Sequence, residues 1–296
     1  MASIFRRLRL TLEMIKFEHS VFALPFAATA ALLAIRESNY APPQLAWKLC
    51  WILVAMVAAR SAAMAFNRVI DAGIDAKNPR TRSRHIPAGL VSTTFAWSFV
   101  ALTSLVFLLA ARALNPLCFR LAPLALAIVF FYSFTKRFTT ASHLVLGLCL
   151  GIAPAAAWIA VRGSLDPRIL WLTAAVMLWT AGFDIIYSCQ DYEFDVQEGL
   201  FSYPSRFGIA ASLWISRGFH AAMLVCLIAL ERAFDLGALS VAGIAAVAAL
   251  LVYEHRLVKP NDLSRVNAAF FNVNGYVSVL FFLFWAADIL LLRAGT

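Results

Sequence analysis

Asn67-Arg68-Val69-Ile70-Asp71-Ala72-Gly73-Ile74-Asp75 closes an apolar run, 45–66, in which Lys48 and Arg60 are the only charged side chains. A run of about 20 mostly apolar residues is long enough to cross a bilayer as a helix. The polar stretch that ends it carries two carboxylates four residues apart, with an amide four residues earlier. At about 3.6 residues per turn, Asn67, Asp71 and Asp75 fall on one stripe of a helix end. Carboxylates so spaced repel each other by a few tenths of a kcal/mol on a free helix. A single D-x₃-D could still be no more than a solvated acidic loop.

The pattern returns 120 residues later, in Asp184-Ile185-Ile186-Tyr187-Ser188-Cys189-Gln190-Asp191-Tyr192-Glu193-Phe194-Asp195. N-x₃-D-x₃-D has become Y-x₃-D-x₃-D, with Asp184 one turn before Tyr187. Working outward, apolar runs occupy 20–36, 45–66, 91–112, 115–134, 141–161, 168–187, 210–230, 236–254 and 268–292. Both motifs follow even-numbered runs, so connectivity brings them out on the same side of a membrane.

The composition agrees. Of 296 residues 62% are hydrophobic and 14% charged, far from the roughly 25% charged of a soluble domain. Mean hydropathy is +0.79. The expected fold is an all-α integral membrane protein: one polytopic domain over 1–296, with nine transmembrane helices. The net charge of +9 sits in short loops between apolar runs, which points to topology and a lipid bilayer and not to nucleic acid. Fifteen Lys and Arg fall on the N-terminal side and eight on the other, with Arg60 and Arg217 inside runs. The positive-inside rule then makes the N-terminus and both acidic motifs cytoplasmic, in the cell's inner (plasma) membrane. Glu13, Lys16, Glu18 and His19 interrupt the first segment, which argues against a cleaved signal peptide. The five cysteines are scattered without C-x-x-C and read mostly as small buried residues.

Acidic residues contribute little to orientation, so their clustering in two loops needs another cause. Hard carboxylate oxygens suit Mg²⁺, which commonly takes one or two carboxylates, waters and substrate phosphates. Asp71, Asp75, Asp191 and Asp195 are therefore candidate metal ligands, with a diphosphate as the group held. Basic residues accompany them: Arg68 within the first motif, Arg80 and Arg84 after it, and Lys136-Arg137 between the fourth and fifth runs. Arg grips phosphate bidentately and Lys acts as a point charge. Arg82 reads as solvated. Arg60 lies seven residues before Asn67 on nearly the same face, about 10 Å deeper. A charge at that depth needs a partner or a wet cavity.

These residues, together with Lys16–Phe26, Tyr132-Ser133-Phe134-Thr135-Lys136-Arg137-Phe138-Thr139 and Glu254-His255-Arg256-Leu257-Val258 leading to Asn267–Asn272, resemble the UbiA superfamily of intramembrane aromatic prenyltransferases. The resemblance covers roughly residues 10–290. It implies helices around a central cavity capped by two Asp-rich cytoplasmic loops, dependence on Mg²⁺, and a polyprenyl diphosphate donor. It maps Asn67, Asp71 and Asp75 onto the first metal–diphosphate motif and Asp191 and Asp195 onto the second, preceded by Asp184 and Tyr187. Within the superfamily the chain looks like 4-hydroxybenzoate polyprenyltransferases, or like a branch that prenylates 1,4-dihydroxy-6-naphthoate in futalosine-route menaquinone synthesis. His85 is a small departure, since many relatives have Arg followed by Pro there.

The implied reaction is electrophilic aromatic substitution. Mg²⁺ neutralises the leaving diphosphate, and a ring carbon ortho to the hydroxyl of an aromatic hydroxy acid attacks C1 of the donor. Arg60, Arg137 and Asn267 are candidates to hold the acceptor carboxylate. Glu18-His19 and Glu254-His255 could line the site or serve structure. No base stands out, although Asp191 is a candidate. A transporter would also carry buried charge, but nearer the bilayer midplane on broken helices.

Overall fold

The computed structural model describes residues 10–15, 22–38 and 40–294. Among them the regular structure is helical, apart from one isolated bridge between Lys259 and Asp262. The helices are α1 (Leu24–Arg36), α2 (Pro42–Ile70), α3 (Ala72–Lys77), α4 (Thr93–Leu114), α5 (Pro116–Thr135), α6 (Ser142–Arg162), α7 (Leu170–Ser188), α8 (Tyr192–Gln197), α9 (Tyr203–Ala233), α10 (Ala238–Leu257) and α11 (Asn274–Ala294). Among the described residues, eight helical segments are long and apolar enough to span a membrane. The protein is an integral membrane protein. The first expected span, 20–36, is the exception: its described part is the 13-residue apolar helix α1. Glu18 and His19 lie outside the described residues, as do Arg6, Arg7, Arg9 and Lys16.

The chain forms two compact units. The first comprises Ala46–Phe134 with the described part of Met1–Ser20; the second comprises Val21–Leu45 and Thr135–Thr296.

In the first unit, Phe66 of α2 stacks on Phe130 of α5, with centroids 4.3 Å apart, and meets the edge of Trp97 of α4 at 5.6 Å. Ala65, Val91, Ala96 and Val100 are buried beside Met14 and Ile15. The break between α4 and α5 is set by Asn115, whose backbone is extended and whose side-chain oxygen accepts the Cys118 amide. Pro116 then opens α5, where its missing N–H costs nothing.

The second unit contains the tightest packing. Gly147 and Gly151 lie one turn apart on α6 and let it approach the backbone of α7 at Met177 and Thr173. Small residues at this spacing are how membrane helices gain close contact without a hydrophobic drive between them. The helix α9 starts from a capping box, Ser202 with Ser205, and kinks at Gly208, where φ is +76°. Asp288 of α11 accepts the Gly237 and Ser240 amides at 2.7 and 3.1 Å, so a carboxylate from one helix caps the start of α10. At the opposite end from the acidic motif, Arg168 pairs with Asp166 and Glu37. That guanidinium holds the Asp166 carboxyl below its ordinary range.

The ninth expected span also differs from a plain helix. Residues Ala268–Val273 form a π-helical turn before α11 begins. All five cysteines are free, and Cys50 is exposed on α2, against the expectation of burial for most.

Candidate functional site

The first motif keeps helical register through the break between α2 and α3. The Asp71 amide bonds the Asn67 carbonyl at 2.9 Å, and the Asp75 amide bonds the Asp71 carbonyl at 2.8 Å. The expected stripe therefore exists in the backbone. Asn67 Nδ2 donates to Asp71 Oδ2 at 2.9 Å and reaches Ser133 Oγ at 3.4 Å. Asp71 and Asp75 are both 3% exposed.

The chain after α3 folds back over this motif. Thr81 Oγ1 donates to the Asp75 carbonyl, and Arg84 Nη1 reaches both Asp75 oxygens at 2.8 Å. The sequence reading gave Arg84 to a phosphate. In the structure it pairs with Asp75. Arg68 has a partner of its own. It is buried, and its Nε donates to the Met14 carbonyl, so it ties the preceding segment to α2. Arg80 and Arg82 are exposed, and Arg60 is half-buried on α2.

The second motif is built differently. After α7 a 3₁₀ turn, Cys189–Asp191, leads into α8. The 3₁₀ turn advances each residue by more than an α-helix does, so the expected stripe of Asp184, Tyr187, Asp191 and Asp195 is twisted. All four are half-buried. A cluster of Ile186, Cys189, Leu213, Val258 and Ala269 packs beneath them.

Two neighbours of this motif were not singled out from sequence. His143, at the start of α6, is 3% exposed, and its Nδ1 lies 2.7 Å from Asp184 Oδ2. Its Nε2 accepts the Tyr203 amide at 3.3 Å, so Nδ1 carries the hydrogen and donates to Asp184. The Ser202 hydroxyl bonds Asp195, and Asp191, Lys136 and His143 all act on Asp195 electrostatically. The Lys136 carbonyl accepts the Phe201 amide, which fixes the 136–137 loop to the chain after α8. The available signal was position: a histidine opening an apolar run on the motif-bearing side.

Asn267 is exposed at the start of the π-turn, and Arg137 is half-buried. Glu254 is fully buried. Among the described residues no three His, Cys, Asp or Glu side chains form a ready-made metal cage. Two carboxylates one turn apart, one of them oriented by an amide, nonetheless suit Mg²⁺, which completes its shell with water and phosphate oxygens.

Residues 23–288 match the model of the UbiA prenyltransferase family. The chain belongs to that family. A 4-hydroxybenzoate octaprenyltransferase of Vibrio atlanticus is 31% identical over 239 residues, covering 79% of this chain and 83% of that one. The enzyme of the same name from Shewanella denitrificans is 28% identical over 260 residues, 88% of each chain. Among solved structures, the apo form of a UbiA homolog from Aeropyrum pernix K1 superposes with a TM-score of 0.82 at 34% identity, covering 92% of this chain and 98% of that one. A UbiA homolog from Archaeoglobus fulgidus bound to GPP and Mg²⁺ gives 0.73 at 19% identity, over 95% and 99%. The last likeness concerns the fold.

Proposed function

We propose that this UbiA-family chain transfers a polyprenyl group from a polyprenyl diphosphate to the ring carbon ortho to the hydroxyl of 4-hydroxybenzoate. The observation that carries the reading is the pair of D-x₃-D motifs, in a chain 31% identical to a 4-hydroxybenzoate octaprenyltransferase. Prenylation of 1,4-dihydroxy-6-naphthoate is the alternative, since the same residues would serve it. The active-site loops and N-terminus are cytoplasmic in this reading, on the count of basic residues, and the membrane is the cell's inner one.

Asp71 and Asp75, and Asp191 and Asp195, would hold Mg²⁺. Bound there, Mg²⁺ would neutralise the diphosphate as the C1–O bond breaks. The chain's own residues do the rest. Asn67 orients Asp71 through its 2.9 Å bond, and His143 orients Asp184. Arg84 sits on Asp75, where it offsets the repulsion between the two buried carboxylates. Lys136, Arg137 and Arg80 supply further positive charge for phosphate oxygens. Arg60, half-buried on α2 seven residues before Asn67, is the cation we assign to the acceptor carboxylate. The apolar helices keep water from the allylic carbon, so that the aromatic ring captures it.

The test uses membranes containing the protein, Mg²⁺ and a polyprenyl diphosphate, with 4-hydroxybenzoate and 1,4-dihydroxy-6-naphthoate offered separately. Prenylated hydroxybenzoate that vanishes with EDTA is the expected product. Prenylated naphthoate alone would move the protein to menaquinone synthesis. No EDTA-sensitive product from either would refute the reading.

A further inference from the structure

Glu254 is 0% exposed inside a helix that crosses the membrane, and the prenyl transfer just described gives it no work. Burying a carboxyl away from water is costly unless it is hydrogen-bonded. The carboxyl has one definite partner: Oε1 accepts Asn274 Nδ2 at 2.8 Å. Its other oxygen has no hydrogen bond and lies 3.7 Å from His220 Nδ1. Asn274 is also 0% exposed. Its Oδ1 accepts the Trp179 indole N–H at 2.7 Å, which fixes Nδ2 as the donor end of the amide.

That donor end does a second thing. It reaches the carbonyls of Ala269 and Phe270, each at 3.2 Å. Both carbonyls belong to the π-turn Ala268–Val273, whose widened loop takes them out of the ordinary helical ladder. Asn274 therefore stabilises the wide turn, and Glu254 and Trp179 hold Asn274.

The turn in turn aims Phe270. Its ring centroid is 4.2 Å from Tyr187, and it meets the edges of Phe183 at 5.2 Å and Phe22 at 6.0 Å. Phe22 and Phe183 are buried behind, whereas Phe270 and Tyr187 are half-open. Tyr187 stands between Asp184 and Asp191 in the second motif. A partly open aromatic face thus lies beside the proposed diphosphate ligands, where the allylic carbon loses its leaving group. Ring faces attract a cation, most strongly where water is excluded.

We propose that Asn274 is a positioning residue: through the turn at 268–273 it holds Phe270 against Tyr187, completing an aromatic face that receives the allylic carbon of the donor. The inference rests on the prenyl-transfer reading. In transfer, the C1–O pair leaves with the diphosphate, a ring π pair of the acceptor forms the new C–C bond, and that ring carbon releases its proton. In the competing path a water oxygen pair takes C1, giving a prenol and a proton. An intact face favours the first path by holding the positive carbon and covering it.

The experiment measures the ratio of prenylated acid to free prenol from geranyl diphosphate with 4-hydroxybenzoate or 1,4-dihydroxy-6-naphthoate, and amide hydrogen exchange across 266–276. Asn274→Ala should speed exchange in 266–276 but not within α6. It should also shift the ratio toward prenol by about tenfold, the scale of one desolvated cation–ring contact. Phe270→Leu should shift the ratio alike without faster exchange, and Phe270→Tyr should keep it near wild type. An unchanged ratio in Phe270→Leu, or unchanged exchange in Asn274→Ala, overturns the proposal. Should Asn274→Ala fail to fold, Trp179→Phe, which releases the Asn274 amide oxygen, takes its place in both measurements, with faster exchange in 266–276 and a shift toward prenol expected and no change in either overturning the proposal. If the wild type prenylates neither acid, the activity reading fails, while the exchange data still decide whether Asn274 holds the turn.

Discussion

Gly147→Ala is the smallest change with a consequence calculable from the structure. A Cβ at Gly147 would stand 2.2 Å from the Met177 carbonyl oxygen, where real contacts keep at least 3.0 Å. The neighbour is backbone, so α6 and α7 must part by about 0.8 Å or bend. Forcing a methyl into a packed interface costs about 1–3 kcal/mol. Replacing Gly by Ala in a helix returns up to about 1 kcal/mol. With the full return the net loss is about 0–2 kcal/mol, and the upper half of that range lowers Tm measurably in detergent. The same opening reaches the site, because His143 is one turn away on α6 and bonds Asp184 of α7 at 2.7 Å. Added to that bond, the opening takes it to about 3.5 Å, the edge of hydrogen bonding. Turnover should fall with Tm. The control is Gly218→Ala on α9, where a Cβ meets nothing within 4 Å. Thermal unfolding and EDTA-sensitive prenyl transfer are measured on both. If Gly147→Ala matches Gly218→Ala in both assays, the close-approach argument is wrong.

Four other outcomes are expected. Alanine at Asp71, Asp75, Asp191 or Asp195 should abolish EDTA-sensitive turnover while the protein still reaches the membrane; full activity in all four would remove the metal–diphosphate assignment. Asp191→Glu should retain more turnover at saturating Mg²⁺ than Asp71→Glu, because Asp191 is half-open and Asp71 is 3% exposed, with no room for a methylene; the reverse order would refute the burial contrast. Asp288→Ala should destabilise by about 2–4 kcal/mol, since two backbone donors at the start of α10 lose a carboxylate, and an unchanged Tm would contradict that. Glu254→Gln should be tolerated, its carbonyl taking the Asn274 bond and its amide facing His220, whereas Glu254→Ala leaves a cavity and should lower Tm; equal effects would count against the buried network.

The spans were legible because the signal is chemical and long: about 20 apolar residues between turn markers such as Asn115-Pro116. The carboxylate motifs were legible because like charges one turn apart call for a reason. What the sequence hid lies in distances between helices. Nothing in the order of residues puts Arg84 on Asp75 or turns Arg68 toward Met14; those depend on how 78–89 folds back and on what packs against α2. His143 was hidden because one histidine in an apolar run reads as an ordinary buried residue until its partner on another helix is known. The π-turn was hidden for a related reason. Its stability comes from Asn274 and two residues far away in the chain, Glu254 and Trp179, and not from local propensity.

The two motifs share a spacing but not an environment, and the difference follows from what comes after each. Behind the first, Thr81 and Arg84 return from the 78–89 segment to the Asp75 backbone and carboxylate, so burial of two negative charges is offset by a fixed cation. Behind the second, the chain turns into the Ser202 cap of α9, which offers Asp195 a hydroxyl while the nearest cation is Lys136 on a flexible stem. Equal spacing therefore does not mean equal duty. A buried carboxylate pair with a fixed cation on Asp75 and an amide on Asp71 is pre-organised. The second pair is half-open, with Tyr187 beside it in the chain and Phe270 packed against that ring. Substitutions at the second motif should accordingly be tolerated more readily than those at the first, where both carboxylates are 3% exposed.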